Sequence, residues 1–189
     1  KINIGDFTPF FIKSNRIEGL LSGSIEVTDP FGNLQVEAIA KAEQFRLDND
    51  SIGTLDLSTT YARKSGKVSF KTISVNDGYN FDLSGLINTT DSLSDEIDIN
   101  TTFNQTKIGI LQQYLTGIFS KLEGRAKGNL RIKGKANSLK YLGDVSLNDG
   151  GLLVDYTKVY YKIPAAQVKF TDGLIDFGKF QFTDTLGNK

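Results

Sequence analysis

The sequence predicts a mostly β protein built on a long antiparallel sheet, and three observations carry that class. Small or apolar residues alternate with polar ones through most of the chain, which gives a strand one dry face and one wet face. Turn chemistry separates the alternating runs, as in Asp29-Pro30-Phe31-Gly32-Asn33, Asn76-Asp77-Gly78 and Thr171-Asp172-Gly173. The helical period of three to four residues occurs once, between Lys107 and Leu122.

In chain order, the Phe7–Phe11 cluster is broken by Pro9 and reads as an edge segment. Ile17 to Thr28 is the first clear strand, with Leu21, Gly23, Ile25 and Val27 on one side. Val36, Ala38, Ala40 and Ala42 continue after the Pro-Gly turn, with Ile39 out of phase. Leu55, Leu57 and Tyr61, then Val68 and Phe70, give two more strands around the Lys64-Ser65-Gly66-Lys67 turn. Phe81, Leu83, Gly85 and Ile87 follow the Asn-Asp-Gly signal. Asp91 to Asp98 is an acidic, Ser-rich loop, and Ile97, Ile99, Thr101 and Phe103 restore the strand period.

The exception is an amphipathic helix expected over 106–123. Its buried stripe is Ile108, Leu111, Leu115, Ile118, Phe119 and Leu122, with Thr106 as N-cap and Gly124 as terminator. The chain thus divides into 1–105, the helix, and 124–189. The last part is the most regular. Gly124, Ala126, Gly128, Leu130, Ile132 and Gly134 alternate with Arg125, Lys127, Asn129, Arg131 and Lys133. Tyr141, Gly143, Val145 and Leu147 repeat the pattern up to Asn148-Asp149-Gly150-Gly151, which reads as a hairpin turn. Leu152, Val154 and Tyr156, Val168 and Phe170, Ile175 and Phe177, and Phe180 and Phe182 complete the series before Asp184-Thr185-Leu186-Gly187.

Composition excludes several function classes. Lys+Arg 22 against Asp+Glu 22 leaves net charge +0, so no global field attracts nucleic acid. The basic stripe Arg125, Lys127, Arg131, Lys133 and Lys135 reads as a strand's outer face kept charged against edge pairing. Stacking aromatics, which single-stranded nucleic acid needs on that face, fall on the other. With no His and no Cys, Ser-His and Cys-His catalysis, the usual zinc sites and disulfides all drop out. Asp48 and Asp50 with Gly53 resemble the start of a calcium loop. However, Ile52 and Thr59 occupy ligand positions, so a plain turn is expected. Asp91, Asp95, Glu96 and Asp98 have no apolar pocket to separate an acid from a base. The expectation is a non-catalytic protein with no cofactor and no metal. No apolar run approaches the roughly 20 residues of a membrane span, and the ends at Lys1 and Lys189, without an initiator Met, suggest a fragment of a longer protein.

What covers the apolar face is left open by alternation alone: a closed barrel, a two-sheet sandwich, or a curled open sheet holding apolar ligand. Here the residues resemble a known family. Leu122-Glu123-Gly124, Gly128-Asn129-Leu130-Arg131-Ile132-Lys133-Gly134, Leu142-Gly143-Asp144-Val145-Ser146-Leu147 and Asp149-Gly150-Gly151-Leu152-Leu153-Val154 come in order. Tyr160-Tyr161-Lys162-Ile163, Val168-Lys169-Phe170 and Phe182-Thr183-Asp184-Thr185-Leu186-Gly187 follow. Together they are similar to the C-terminal region of the TamB family, the AsmA-like subunits of the translocation and assembly module. The resemblance implies a long twisted sheet curled into an open trough, a β-taco or repeating β-groove. It implies a periplasmic location in a Gram-negative bacterium, with the full-length protein anchored in the inner membrane and partnered by an outer-membrane barrel of the Omp85 class (TamA-like). It implies conduction of phospholipid between membranes or, alternatively, a scaffold for assembly and secretion of outer-membrane proteins. On the first reading, phospholipid acyl chains would lie against Leu130, Ile132, Val145, Leu147, Val154, Tyr156, Val168, Phe170, Ile175, Phe177, Phe180 and Phe182.

Overall fold

The computed structural model describes residues 1–6, 16–48, 50–90, 96–114, 117, 119–135, 137–179 and 181–184. The Phe7–Phe11 cluster, Asn49, Asp91, Asp95, Leu115, Ile118, Phe180 and the Thr185-Leu186-Gly187 end lie outside these residues.

Strands account for 76% of the structure and form one long, open antiparallel sheet. The strands are β1 (Ile2–Asn3), β2 (Ile17–Thr28), β3 (Gln35–Leu47), β4 (Asp50–Ala62), β5 (Lys67–Asn76) and β6 (Tyr79–Asn88). They continue as β7 (Ile97–Lys107), β8 (Phe119–Lys135), β9 (Ser138–Val154), β10 (Val159–Thr171), β11 (Leu174–Asp176) and β12 (Thr183–Asp184). Neighbours in sequence are neighbours in the sheet from β1 through β11, and β12 returns to β10. A barrel would require the first and last strands to meet, and a sandwich would require a second sheet. Neither arrangement is present among the described residues.

Two compact units partition the chain, Lys1–Thr101 with Arg131–Lys140, and Thr102–Leu130 with Tyr141–Lys189. In the first, the period-two pattern sets the register. Leu21, Ala42, Leu55, Ser74 and Phe81 form one cross-strand row; Gly23, Ala40, Leu57, Thr72 and Leu83 form the next. Ile25, Ala38, Thr59, Phe70 and Gly85 form a third row on that apolar face. Ile39, out of phase in the sequence, sits on the other face and is 68% exposed. That face carries the cross-strand pairs Lys41–Asp56 at 3.3 Å and Lys71–Asp82 at 3.5 Å. Such exposed pairs contribute at most about 1 kcal/mol each, so they mark the wet side more than they hold it.

The expected helix over 106–123 does not form. Thr106 and Lys107 end β7, Ile108–Tyr114 is a short 3-10 turn, and Phe119 to Leu122 already belong to β8. Gly124 lies inside β8 and terminates nothing. The cause is local. Gln105, Gly117 and Lys121 all have positive φ (59°, 85° and 51°), which breaks any run of right-handed helix. Gly109 and the β-branched Ile108 and Ile110 weaken it further. A 3-10 turn with period three, followed by a strand, reproduces the same apolar spacing.

The Asn148-Asp149-Gly150-Gly151 hairpin is also absent, since β9 runs straight through it. Asp149 does take the positive φ (50°) that such a sequence favours, but as an irregularity within the strand. Gly150 and Gly151 are buried; a Cβ on Gly151 would lie 1.9 Å from the Tyr160 hydroxyl, so any larger residue there would have to displace that ring. The chain reverses instead at Asp155–Lys158.

Candidate functional site

In the second unit the apolar faces of β9 and β10 make an open concavity of about 580 Å³. Leu147, Leu152 and Val154 come from β9, and Tyr161, Ile163, Ala166 and Val168 from β10; Phe177 and Phe182 complete the lining. The register pairs Leu147 with Ala166, Val145 with Val168, and Leu152 with Tyr161. Among the described residues the lining is apolar except for the Tyr161 hydroxyl, and no charged side chain contributes. The Tyr161 and Phe182 rings meet edge to face, 5.2 Å apart at 90°.

The lining residues reveal a change of phase. On β9 they are odd-numbered before Asp149 and even-numbered after it; on β10 they are odd before Pro164 and even after. The Cα partners stay in one register across this point, but Asp149 and Pro164 themselves are unpaired in the ladder. Left-handed φ at Asp149 and the missing N–H of Pro164 together let both strands turn over in step.

The far edge of β10 is also interrupted. β11 pairs Phe170 with Ile175, and β12 pairs Tyr161 with Asp184, in the same antiparallel register. Between these two short ladders Phe177 and Phe182 lie outside the strands, and both border the concavity, 55% and 46% exposed.

Of the twelve residues expected to line a groove, the concavity gathers Leu147, Val154, Val168, Phe177 and Phe182. Val145, Phe170 and Ile175 share that face by register but lie outside the concavity, and Phe180 is outside the described residues. Leu130 is half-buried on β8, where its Cα approaches Gly143. Ile132 is also half-buried on β8 but belongs to the first unit. Tyr156 stands in the Asp155–Lys158 turn, 95% exposed, off both strands. Leu152, Tyr161, Ile163 and Ala166 were not among the twelve. Leu152 shares the face expected for Val154; reading Asp-Gly inside a long alternating run as a strand irregularity, and Pro164 as its partner, would have found the other three.

No protein-family model, curated protein or solved structure matches the chain.

The polar groups elsewhere are engaged in structure. Asp48 accepts the Arg16 backbone N–H at 2.7 Å and Asp50 accepts the Tyr79 hydroxyl, so both carboxylates of the calcium-like sequence have protein partners. Burial, then Asp50 beside it, pushes the Tyr79 hydroxyl well above the ordinary tyrosine range. In the first unit, Asp98 takes two bonds from Arg131, at 2.8 and 2.5 Å, which hold its carboxyl below the usual range. Arg125 donates to the Gln105 carbonyl at 3.2 Å. Two members of the basic stripe are thus committed within the fold. Among the described residues no cluster of three metal-ligating side chains occurs, and no helix is long and apolar enough to cross a membrane.

Proposed function

We propose that this chain is a non-catalytic segment of a TamB-like envelope protein that shields lipid acyl chains on an apolar sheet face as they pass between the two membranes. The observation that carries this reading is the hydrocarbon-lined concavity on β9 and β10, open to solvent and, among the described residues, lined by no charged side chain. An acyl chain laid there leaves water at roughly 0.8 kcal/mol per buried CH₂, while its headgroup stays outside. The β2 end of the first unit's apolar face, where Ile25 is 73% and Val27 51% exposed, is consistent with the same use. On this reading the full-length protein lies in the periplasm, anchored in the inner membrane, and the sheet curls into a trough beneath an Omp85-class barrel.

The test is to purify the protein, extract it with organic solvent and identify lipid by mass spectrometry, then measure phospholipid transfer between vesicles. Val168→Asp places a charge in the acyl path at a half-buried position that borders the open concavity, so the variant should fold and lose bound lipid. Folded wild type that carries no lipid and transfers none would refute the proposal.

One observation favours the assembly-scaffold reading as well. β1 pairs with β2 only at Leu20 and Leu21, and among the described residues nothing pairs with the outer edge of β2 from Gly23 to Thr28. Such an edge can receive an extended client strand. Protection of β2 amides from hydrogen exchange by an unfolded outer-membrane protein would support that role, and its absence would remove it.

A further inference from the structure

Phe31, at the tip of the β2–β3 turn, is 100% exposed, and the turn does not need it. The reversal at Asp29–Asn33 is held by the residues around the ring. Gly32 donates its N–H to the Asp29 carbonyl at 3.2 Å, and Asn33 donates its N–H to the Asp29 carboxylate at 2.6 Å. Pro30 fixes its own φ, and a Cβ on Gly32 would lie 2.5 Å from that carboxylate. A polar side chain at position 31 would serve the turn as well and would spare the cost of holding a ring in water. Two further apolar side chains lie close behind it on β2. Ile25 is 73% and Val27 51% exposed, so the three form a patch at one corner of the first unit.

Cations flank that corner. The backbone N–H of Arg63 donates to the Leu34 carbonyl at 2.9 Å, and its guanidinium donates to the Gly32 carbonyl at 3.3 Å. These bonds fasten the β4–β5 reversal beside the β2–β3 turn. Arg63, Lys64 and Lys67 are exposed, and among the described residues Lys64 and Lys67 form no ion pair. The neighbouring carboxylates do not cancel them. Asp29 is occupied within its turn, while Glu26 and Glu37 are cross-strand partners on the wet face, opposite the face of Ile25 and Val27. Glu96 lies beyond β6, where its carbonyl accepts the Asn88 N–H.

We propose that this corner docks on an anionic lipid surface, with Phe31 at the boundary between headgroups and acyl chains and with Arg63, Lys64 and Lys67 against the lipid phosphates. Aromatic rings favour that boundary, and cations beside an anionic surface add to the binding. The chain's net charge is +0, so the attraction comes from this corner and orients the molecule. The docking does not draw on the β9–β10 concavity, whose lining belongs to the other unit.

The experiment uses the full chain with vesicles of phosphatidylcholine alone or mixed with phosphatidylglycerol. The chain has no Trp, so Phe31→Trp supplies a single reporter. Its emission should shift to the blue on the mixed vesicles and should be quenched by brominated lipid. Tyr156→Trp, at the 95% exposed position in the second unit, should report water throughout. In co-sedimentation, Phe31→Ser should lose at least about tenfold in affinity for the mixed vesicles. Lys64→Gln and Lys67→Gln should each lose about fivefold. Phe31 is wholly exposed, so its variants should fold as the wild type does, which circular dichroism checks. Equal binding by Phe31→Ser, or an equal blue shift in Tyr156→Trp, would overturn docking through this corner. Wild-type affinity in both lysine variants would overturn the part given to the cations. If the corner serves a protein instead, neither vesicle changes the Phe31→Trp emission, and that result overturns the proposal.

Discussion

Two regions of the molecule use the same alternation to opposite ends. Where β3, β4, β5 and β6 meet in the first unit, the interior is closed. Ala42, Ile52, Leu55 and Tyr79 are at most 5% exposed, and Ser74 is fully buried. Ser74 donates to the Tyr79 carbonyl at 2.5 Å, and Asn76 bridges Ser74 at 2.8 Å and the Thr54 carbonyl at 2.7 Å, so each buried polar group is satisfied. On β9 and β10 the face is equally apolar but stays open, and among the described residues no side chain fills the space above Ala166 and Val168. A strand pattern therefore specifies which residues are dry, while what keeps them dry is set by irregularities that turn the strands. In the first unit these are Gln44 and Gly53, at φ 53° and 102°; on β9 it is Asp149.

The contrast makes its largest prediction with a charge. Leu55→Asp should place an unpaired carboxylate in the closed region and destabilise the protein by about 3–5 kcal/mol. Val168→Asp, in the open concavity, should cost no more than about 1 kcal/mol, because the charge reaches water. Urea denaturation of the two variants measures the difference, and equal losses would erase the distinction between the regions.

Backbone approach gives a smaller effect. A Cβ on Gly128 would sit 2.1 Å from the Asp144 carbonyl oxygen, at a φ of 147° that side chains rarely adopt. Gly128→Ala should cost about 2–3 kcal/mol. Gly173→Ala, in open space at φ 77°, has only the backbone penalty and should cost about 1 kcal/mol.

Tyr79→Phe should lose about 1–2 kcal/mol with the bond to Asp50. It also carries a pH signature. The hydroxyl's pKa is raised in the fold, so its contribution is complete below the ordinary tyrosine value of about 10 and declines as pH rises above it. The variant's thermal midpoint should therefore fall less steeply than wild type between about pH 10 and 12.

The smallest effect belongs to Asp98→Asn on the wet side. The pair with Arg131 is partly exposed to water, so the loss should stay below about 1 kcal/mol at neutral pH. Asp98 is depressed, so its contribution is present above the ordinary aspartate value of about 4 and disappears as acid protonates it. Stabilities of wild type and variant should converge at about pH 2.

The strands were legible because alternation survives wherever one face is dry, as at Leu21 to Val27 or Gly124 to Gly134. Turns at Asp29–Asn33, Asp77-Gly78 and Asp172-Gly173 carried their chemistry openly. What could not be read was where a strand turns over without ending. Gln44, Gln105 and Lys121 adopt left-handed φ although neither residue type favours it, so the sheet around them imposes the conformation. The same blindness produced the expected helix, because the apolar spacing of Ile108, Leu111 and Leu122 fits a 3-10 turn plus a strand as well as a helix. At the site, sequence placed Val168 and Leu147 together but lost Tyr161 and Ile163, which change sides at Pro164.

The strand order also bears on how the chain reaches this state. Each strand from β2 to β11 pairs with the one made just before it, and the closing turns at Asp77-Gly78 and Asp172-Gly173 are two residues long. No distant ends have to find one another, so the loop-closure entropy at each such step stays small. Hairpins form in about 1–10 μs, against the slow kinetics of β topologies dominated by remote pairings. The chain can thus add strands to a growing edge as they emerge, and each new edge is protected by the strand that follows.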